Sequence, residues 1–168
     1  MRHNKDTLWK GVLQWVLADL LRFVFPNAEE VFDFDRKFVY LDKELAQLDA
    51  GAGKRTDIRY ADNLVKVFRK DGEEEWVLVH VEVQDATKAA DRPLFPERMF
   101  RYYYRSFDRH QKPVVAIAIL CGPDGELLKG GYRHEFMNTS VQYDYNTLCI
   151  LDYSDMELEE SDNPFARR

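Results

Sequence analysis

Cysteine is scarce in this chain: Cys121 and Cys149 are the two among 168 residues, and each sits in an apolar, strand-like run. That excludes a framework of disulfides and reads as two small buried hydrophobes in a reducing compartment, the cytoplasm. Long uninterrupted apolar runs are also missing. The first candidate, LWKGVLQWVLADLLRFVF, is broken by Lys10, Gln14, Asp19 and Arg22, which argues against a membrane span, and it lacks the small-residue cleavage site of a signal peptide. No internal repeat or low-complexity segment is present. An excess of positive charge is absent too, since the formal net charge is -6, which by itself argues against a general nucleic-acid binder.

The distribution of charge changes that last conclusion. Between Lys88 and Lys112 seven Lys/Arg stand against three acids, whereas Asp152 to Arg168 holds six acids against two arginines. The acidic end therefore carries most of the deficit and leaves a basic segment in the body. A hydrophobic fraction of 45% with 14% aromatics suits one globular domain, and 168 residues are enough to bury a core without staples. The expected division is a folded domain over 1–152 and an acidic tail over 153–168, a short helix or a frayed end.

Asp6 or Thr7 can cap a helix that runs to Phe25, with Leu8, Trp9, Val12, Leu13, Val16, Leu20 and Val24 at helical spacing and Pro26 as its stop. VFDFDRKFVY reads as irregular or strand-like, DKELAQL as one or two helical turns carrying Glu44, and GAGKR as a loop. ADNLVKVFRK and EEWVLVHVEVQ form an antiparallel hairpin through Asp71-Gly72. LFPERMFRYYYRSFDRH is a helix from Pro96 or Glu97, with Met99, Phe100, Tyr103 and Phe107 on one side and Arg98, Arg101, Arg105 and Arg109 on the other. KPVVAIAIL is apolar throughout, as a central strand covered on both faces should be, and RHEFMNTSVQYDYNTLCILDY supplies one or two further strands. The order predicts an α/β fold: a mixed sheet flanked by helices, the helix after the hairpin crossing to a parallel neighbour.

One stretch asks for a chemical explanation. In VLVHVEVQ, His80, Glu82 and Gln84 alternate with Val79, Val81 and Val83, so strand geometry assigns the polar trio to one face. Asp62 opens the preceding strand, and a hairpin can bring it to the same end of the sheet as Glu82. Two acids meeting there repel unless a cation lies between them, and hard oxygen donors select Mg2+. That set suits metal-assisted phosphodiester hydrolysis. The bland alternative is a solvated strand-end acid at Asp62 and a Glu82 carboxylate paired with Lys66 or His80.

Asp62, Glu82-Val83-Gln84, the helical Glu44 and the helix with ERMFRYYYRSFDR together resemble the PD-(D/E)XK nuclease superfamily in its variant with Gln at the third position. More closely, LDKELAQL, ADNLVKVFRKDGEEEWVLVHVEVQ, PERMFRYYYRSFDRHQKPVVAIAIL and ILDY resemble the recombination-promoting nuclease and putative transposase family over nearly the whole chain. The resemblance implies a restriction-endonuclease-like core and a DNA endonuclease dependent on Mg2+, with Mn2+ as a substitute. It implies Asp62 and Glu82 as catalytic metal ligands, the Val83 carbonyl as a further ligand, and Gln84 where the superfamily has lysine. Gln cannot supply positive charge to a developing oxyanion and can only position. Glu44 is a candidate third acidic ligand. Arg98, Arg101 and Arg105 are candidates for phosphate contact with DNA, and a homodimer is a candidate assembly. Two other classes compete: a nuclease-like protein that binds nucleic acid without turnover, and a protein-interaction module.

Overall fold

The computed structural model describes residues 16–41, 43, 61–82, 94–112, 114–120 and 130–163. Residues 16–24 are helical (α1), and Val16, Leu17, Leu20 and Leu21 form its buried stripe, the i, i+1, i+4, i+5 pattern of a helix with one side in the core. The chain turns at Pro26 and makes one helical turn over Ala28–Val31 (α2), with Ala28 buried. Two strand residues follow, Val39–Tyr40 (β1), then the long hairpin Ala61–Phe68 (β2) and Glu74–Glu82 (β3). Gly72 adopts φ +90° in the connection, a conformation that glycine enters without a Cβ clash, as the Asp71-Gly72 pair predicts. Helix Leu94–His110 (α3) leads to Val114–Leu120 (β4). A second hairpin, Tyr132–Phe136 (β5) and Thr139–Tyr143 (β6), precedes Asn146–Cys149 (β7). A 3-10 turn and the helix Asp155–Glu160 (α4) complete the described chain.

Among the described residues five strands make one mixed sheet in the order β1-β2-β3-β4-β7, with β1, β2 and β3 antiparallel and β3, β4 and β7 parallel. α3 carries the chain from β3 to its parallel neighbour β4, as the order of elements predicts. Alternation divides the sheet's side chains between two layers. Val65, Val67, Val77, Ile117, Ile119 and Leu148 pack with α1 and Phe32 on one face. Leu64, Trp76, Ala116, Ala118, Leu120 and Cys149 pack on the other face with Phe95, Met99 and Tyr102 of α3. β4 reads as a continuous apolar run because both of its faces are covered. Burying each of its isoleucines contributes about 1.5–3 kcal/mol relative to leaving it exposed.

Three details differ from expectation. α3 starts at Leu94, because proline has no N–H to lose in the first turn and Pro96 sits there without breaking a bond. Its buried stripe is Phe95, Met99, Tyr102 and Ser106, while Phe107 is 43% exposed and Tyr104 54% exposed. Among the described residues the segment after β4 holds three strands instead of one or two, two of them in a hairpin outside the main sheet.

The acidic end folds back onto the body over its described part. Ser154 and Glu157 close a capping box at the start of α4, each satisfying an otherwise orphaned backbone N–H of the first turn. The Tyr153 ring lies 5.3 Å from that of Phe23, and the Asn163 amide donates to the Asp19 carbonyl at 2.9 Å. Cys149 is buried, and Cys121 lies outside the described residues. Among the described residues no helix is long and apolar enough to cross a membrane.

Candidate functional site

The β2–β3 ladder sets the relation between the two candidate carboxylates. Asp62 pairs with His80 and Ala61 with Val81, so Glu82 stands one diagonal step from Asp62, at i and j+2. Diagonal neighbours on one sheet face have Cα atoms about 7–8 Å apart, within reach of side chains that meet at a shared ion. Positions 62, 80 and 82 have the parity of Leu64 and Trp76, which places them on the α3 face of the sheet. Glu82 pairs in turn with Leu120, the last residue of β4. The two acids therefore occupy positions at the carboxyl ends of the parallel pair β3–β4, where open α/β sheets commonly bind their ligands.

Val83, Gln84 and Glu44 lie outside the described residues, so the third catalytic candidate, the candidate carbonyl ligand and the extra acid have no placement here. Among the described residues no group of three or more His, Cys, Asp or Glu is arranged to hold a metal ion. Asp62, His80 and Glu82 are described by backbone position alone.

α3 lies over this face with two unlike flanks. Tyr102 packs with Leu64, Trp76 and Leu41, above β2 and β3, whereas Met99 packs with Ala116, Ala118 and Tyr143. At 100° per residue Arg98, Arg105 and Arg109 follow Tyr102 around the helix, and Tyr103 and Phe107 follow Met99. The arginine flank is thus the one toward β2, on the same side as Asp62 and Glu82. Arg98 is half-buried, its guanidinium carbon 5.5 Å from the Phe95 ring centroid. Arg105 is half-buried as well, and Arg101 is exposed and ion-paired with Glu97 one turn earlier. The opposite flank meets the second hairpin: Phe100 stacks on Tyr132 at 5.1 Å and Tyr103 lies 4.9 Å from Tyr143. Of the tyrosine row, Tyr102 is core, Tyr103 is half-buried against the hairpin, and Tyr104 is exposed.

One residue beside the site went unnoticed in the sequence. Asn63, next to Asp62, is 1% exposed on the α1 face, and among the described residues neither its amide nitrogen nor its amide oxygen has a hydrogen-bond partner. A buried amide left unpaired costs about 1–3 kcal/mol. The signal was present: in ADNLVKVF, Asn63 shares the parity of Val65 and Val67, so it is a polar residue at a core position.

Compared with known proteins, the chain matches no family model, no curated protein and no solved structure.

Proposed function

We propose that the chain is a metal-dependent DNA endonuclease of the recombination-promoting type, built on a restriction-endonuclease-like core. The observation that carries the reading is the β2–β3 register, with Asp62 and Glu82 one diagonal step apart on the α3 face. The strand order supports it as well: an antiparallel meander that continues through a helical crossover into parallel strands gives one end of the sheet two acids and a basic helix flank.

Asp62 and Glu82 would hold Mg2+ or Mn2+, with the Val83 carbonyl as a further oxygen donor and Glu44 as an additional acid. Carboxylates and a carbonyl are hard donors of the kind Mg2+ takes while keeping some of its waters. When bound, the ion would acidify water and neutralise charge on the scissile phosphate. Gln84 would align the attacking water through its amide. It has no charge to lend to the phosphate, so turnover is expected to be slow. Arg98, Arg101 and Arg105, on the flank toward β2, would contact the phosphates on either side of the cut.

The test is incubation of supercoiled plasmid with the full chain and Mg2+ or Mn2+, beside Glu82→Ala. Nicking that requires the cation and disappears in the variant supports the reading, and nicking that survives Glu82→Ala rejects it. The basic flank also favours a second reading, a nucleic-acid-binding protein without turnover. In that case Arg101→Ala weakens DNA binding, Glu82→Ala leaves it intact, and no cleavage is seen with either cation.

A further inference from the structure

The β5–β6 hairpin is anchored at its root and open beyond it. Tyr132 and Tyr143 pair at the root, and both pack on the aromatic flank of α3, Tyr132 stacked on Phe100 at 5.1 Å and Tyr143 4.9 Å from Tyr103. From Arg133 to Ser140 every residue is exposed. Alternation puts His134 and Phe136 on the same ribbon face as Tyr132, yet Phe136 is 67% exposed and Met137, at the tip, 81%. Phe136 stands four residues beyond Tyr132, roughly 13 Å at 3.3 Å per residue, clear of the rings that hold the root.

The turn itself is costly for the residue it carries. Met137 and Asn138 both have positive φ, +46° and +63°, as a two-residue hairpin turn of the type I′ class requires. Asparagine enters that region readily, whereas methionine meets a steric penalty that glycine would avoid. Met137 lies in solvent, so burial within the chain does not offset that penalty. A contact outside the chain would.

The exposed apolar surface continues from the hairpin's root onto α3. Phe100 stacks on Tyr132 and, at 6.2 Å, on Tyr104 one turn along the helix, while Tyr103 stacks on Phe107 at 6.3 Å. With large side chains of this kind at about 150–250 Å² each, the exposed parts of Phe136, Met137, Tyr104 and Phe107 amount to roughly 500 Å². A standard interface takes about 800 Å² from each partner, about 65% of it apolar in homodimers, so this flank presents as much apolar surface as one protomer contributes. Its charge does not suit a phosphate backbone. Arg133 is ion-paired with Asp144, Glu135 and Asp108 are acidic, and Arg98, Arg105 and Arg109 lie on the opposite flank of the helix.

We infer that this flank is the contact between two copies of the chain related by a twofold axis, with Phe136 and Met137 of each hairpin tip laid on Tyr104 and Phe107 of the partner subunit. A twofold contact needs one surface that complements itself. A protruding apolar tip and an aromatic shelf, side by side on one flank, supply both halves. Burying the tip in the dimer also offsets the strain of its methionine.

Sedimentation equilibrium of the full chain over a concentration series, in EDTA and without DNA, tests this. The average mass should rise from the monomer value toward twice that value. Met137→Gly, which suits the turn's φ, and Tyr104→Ser on the helix surface should each raise the dissociation constant tenfold or more, because symmetry applies each substitution to both sides of the contact. Met156→Ser, which removes another exposed apolar side chain from α4, should leave it unchanged. A chain that stays monomeric at every concentration overturns the inference, as does a dimer that keeps its affinity in Met137→Gly or Tyr104→Ser, or loses it in Met156→Ser. If the chain is monomeric and Met137→Gly binds duplex DNA more weakly than wild type, the tip serves DNA instead. Because the mass is measured without DNA or metal, failure here is distinct from failure of the endonuclease reading.

Discussion

Asp62 and His80 are register partners across the β2–β3 ladder, and Glu82 follows His80 by one alternation on the same sheet face. Like charges held one diagonal step apart destabilise the fold until a cation neutralises them. A divalent ion that binds only the folded chain therefore stabilises it, by about 2.7 kcal/mol when the free ion is about a hundredfold above Kd. For a domain of this size that is roughly 5–10 °C in Tm. Thermal unfolding with and without Mn2+ checks it: wild type should show the rise, and Asp62→Asn and Glu82→Gln should lose it while melting at or above the metal-free wild-type Tm. An unchanged wild-type Tm at saturating Mn2+ counts against a shared ion.

Asn63 puts an amide with no partner among the described residues in the core next to the first of those acids. Replacing it with leucine removes the desolvation penalty, and the expected gain is about 1–3 kcal/mol, read as a higher urea midpoint at unchanged slope. A loss of stability of that size instead would mean that the amide is satisfied in solution.

Much of this fold could be read from local signals, and the reasons differ by element. Asp71-Gly72 fixed the first hairpin because its turn needs a positive φ, and VVAIAIL marked a central strand because both faces are buried. The stripe of α3 differs from the expected one because its aromatics run almost all the way round the helix. Phe95 lies before Pro96, from which the sequence predicts the helix, and which rings are core depends on a second hairpin far along the chain. Met137 and Asn138 turn that hairpin at φ +46° and +63°, and with methionine in the turn no Asn-Gly or Asp-Gly signal announces it. At the candidate site, alternation sufficed to assign Asp62 and Glu82 to a face, but their diagonal step is a matter of register, which periodicity alone does not fix. The one-turn helix Ala28–Val31 is too short to leave a periodic trace.

Arg101 is exposed but shares its charge with Glu97, one helical turn earlier. Exposed pairs at this spacing contribute about 0.3–0.5 kcal/mol to stability, so Glu97→Gln should hardly move the urea midpoint. It should nevertheless raise DNA affinity, because a competing carboxylate leaves the helix flank that would meet phosphates. Fluorescence anisotropy with a labelled duplex across a salt series tests this. The expected order of affinity is Glu97→Gln above wild type above Arg101→Ala, with the steepest salt dependence in Glu97→Gln. Identical salt slopes for all three proteins would remove Arg101 from the DNA-contacting surface.

Asp144 joins the end of β6 to the start of β7 and is held from two sides. Gln142 donates to one carboxylate oxygen at 3.0 Å and Arg133 of β5 to the other at 3.1 Å. The Gln142 hydrogen bond and then the Arg133 hydrogen bond and charge hold this carboxyl below the usual aspartate range. A carboxyl depressed in the folded state favours folding above its unfolded pKa, and that contribution is lost as pH falls through the lower, folded value. The tie between β5 and the β6–β7 connection should therefore persist at mildly acidic pH and release only in the acid range below that of an ordinary aspartate. Carboxyl carbon chemical shifts followed by NMR during an acid titration give the Asp144 midpoint directly. Gln142→Ala and Arg133→Gln should each move it upward. Midpoints that stay put in both variants would mean that the two donors are solvated and do not hold the carboxylate.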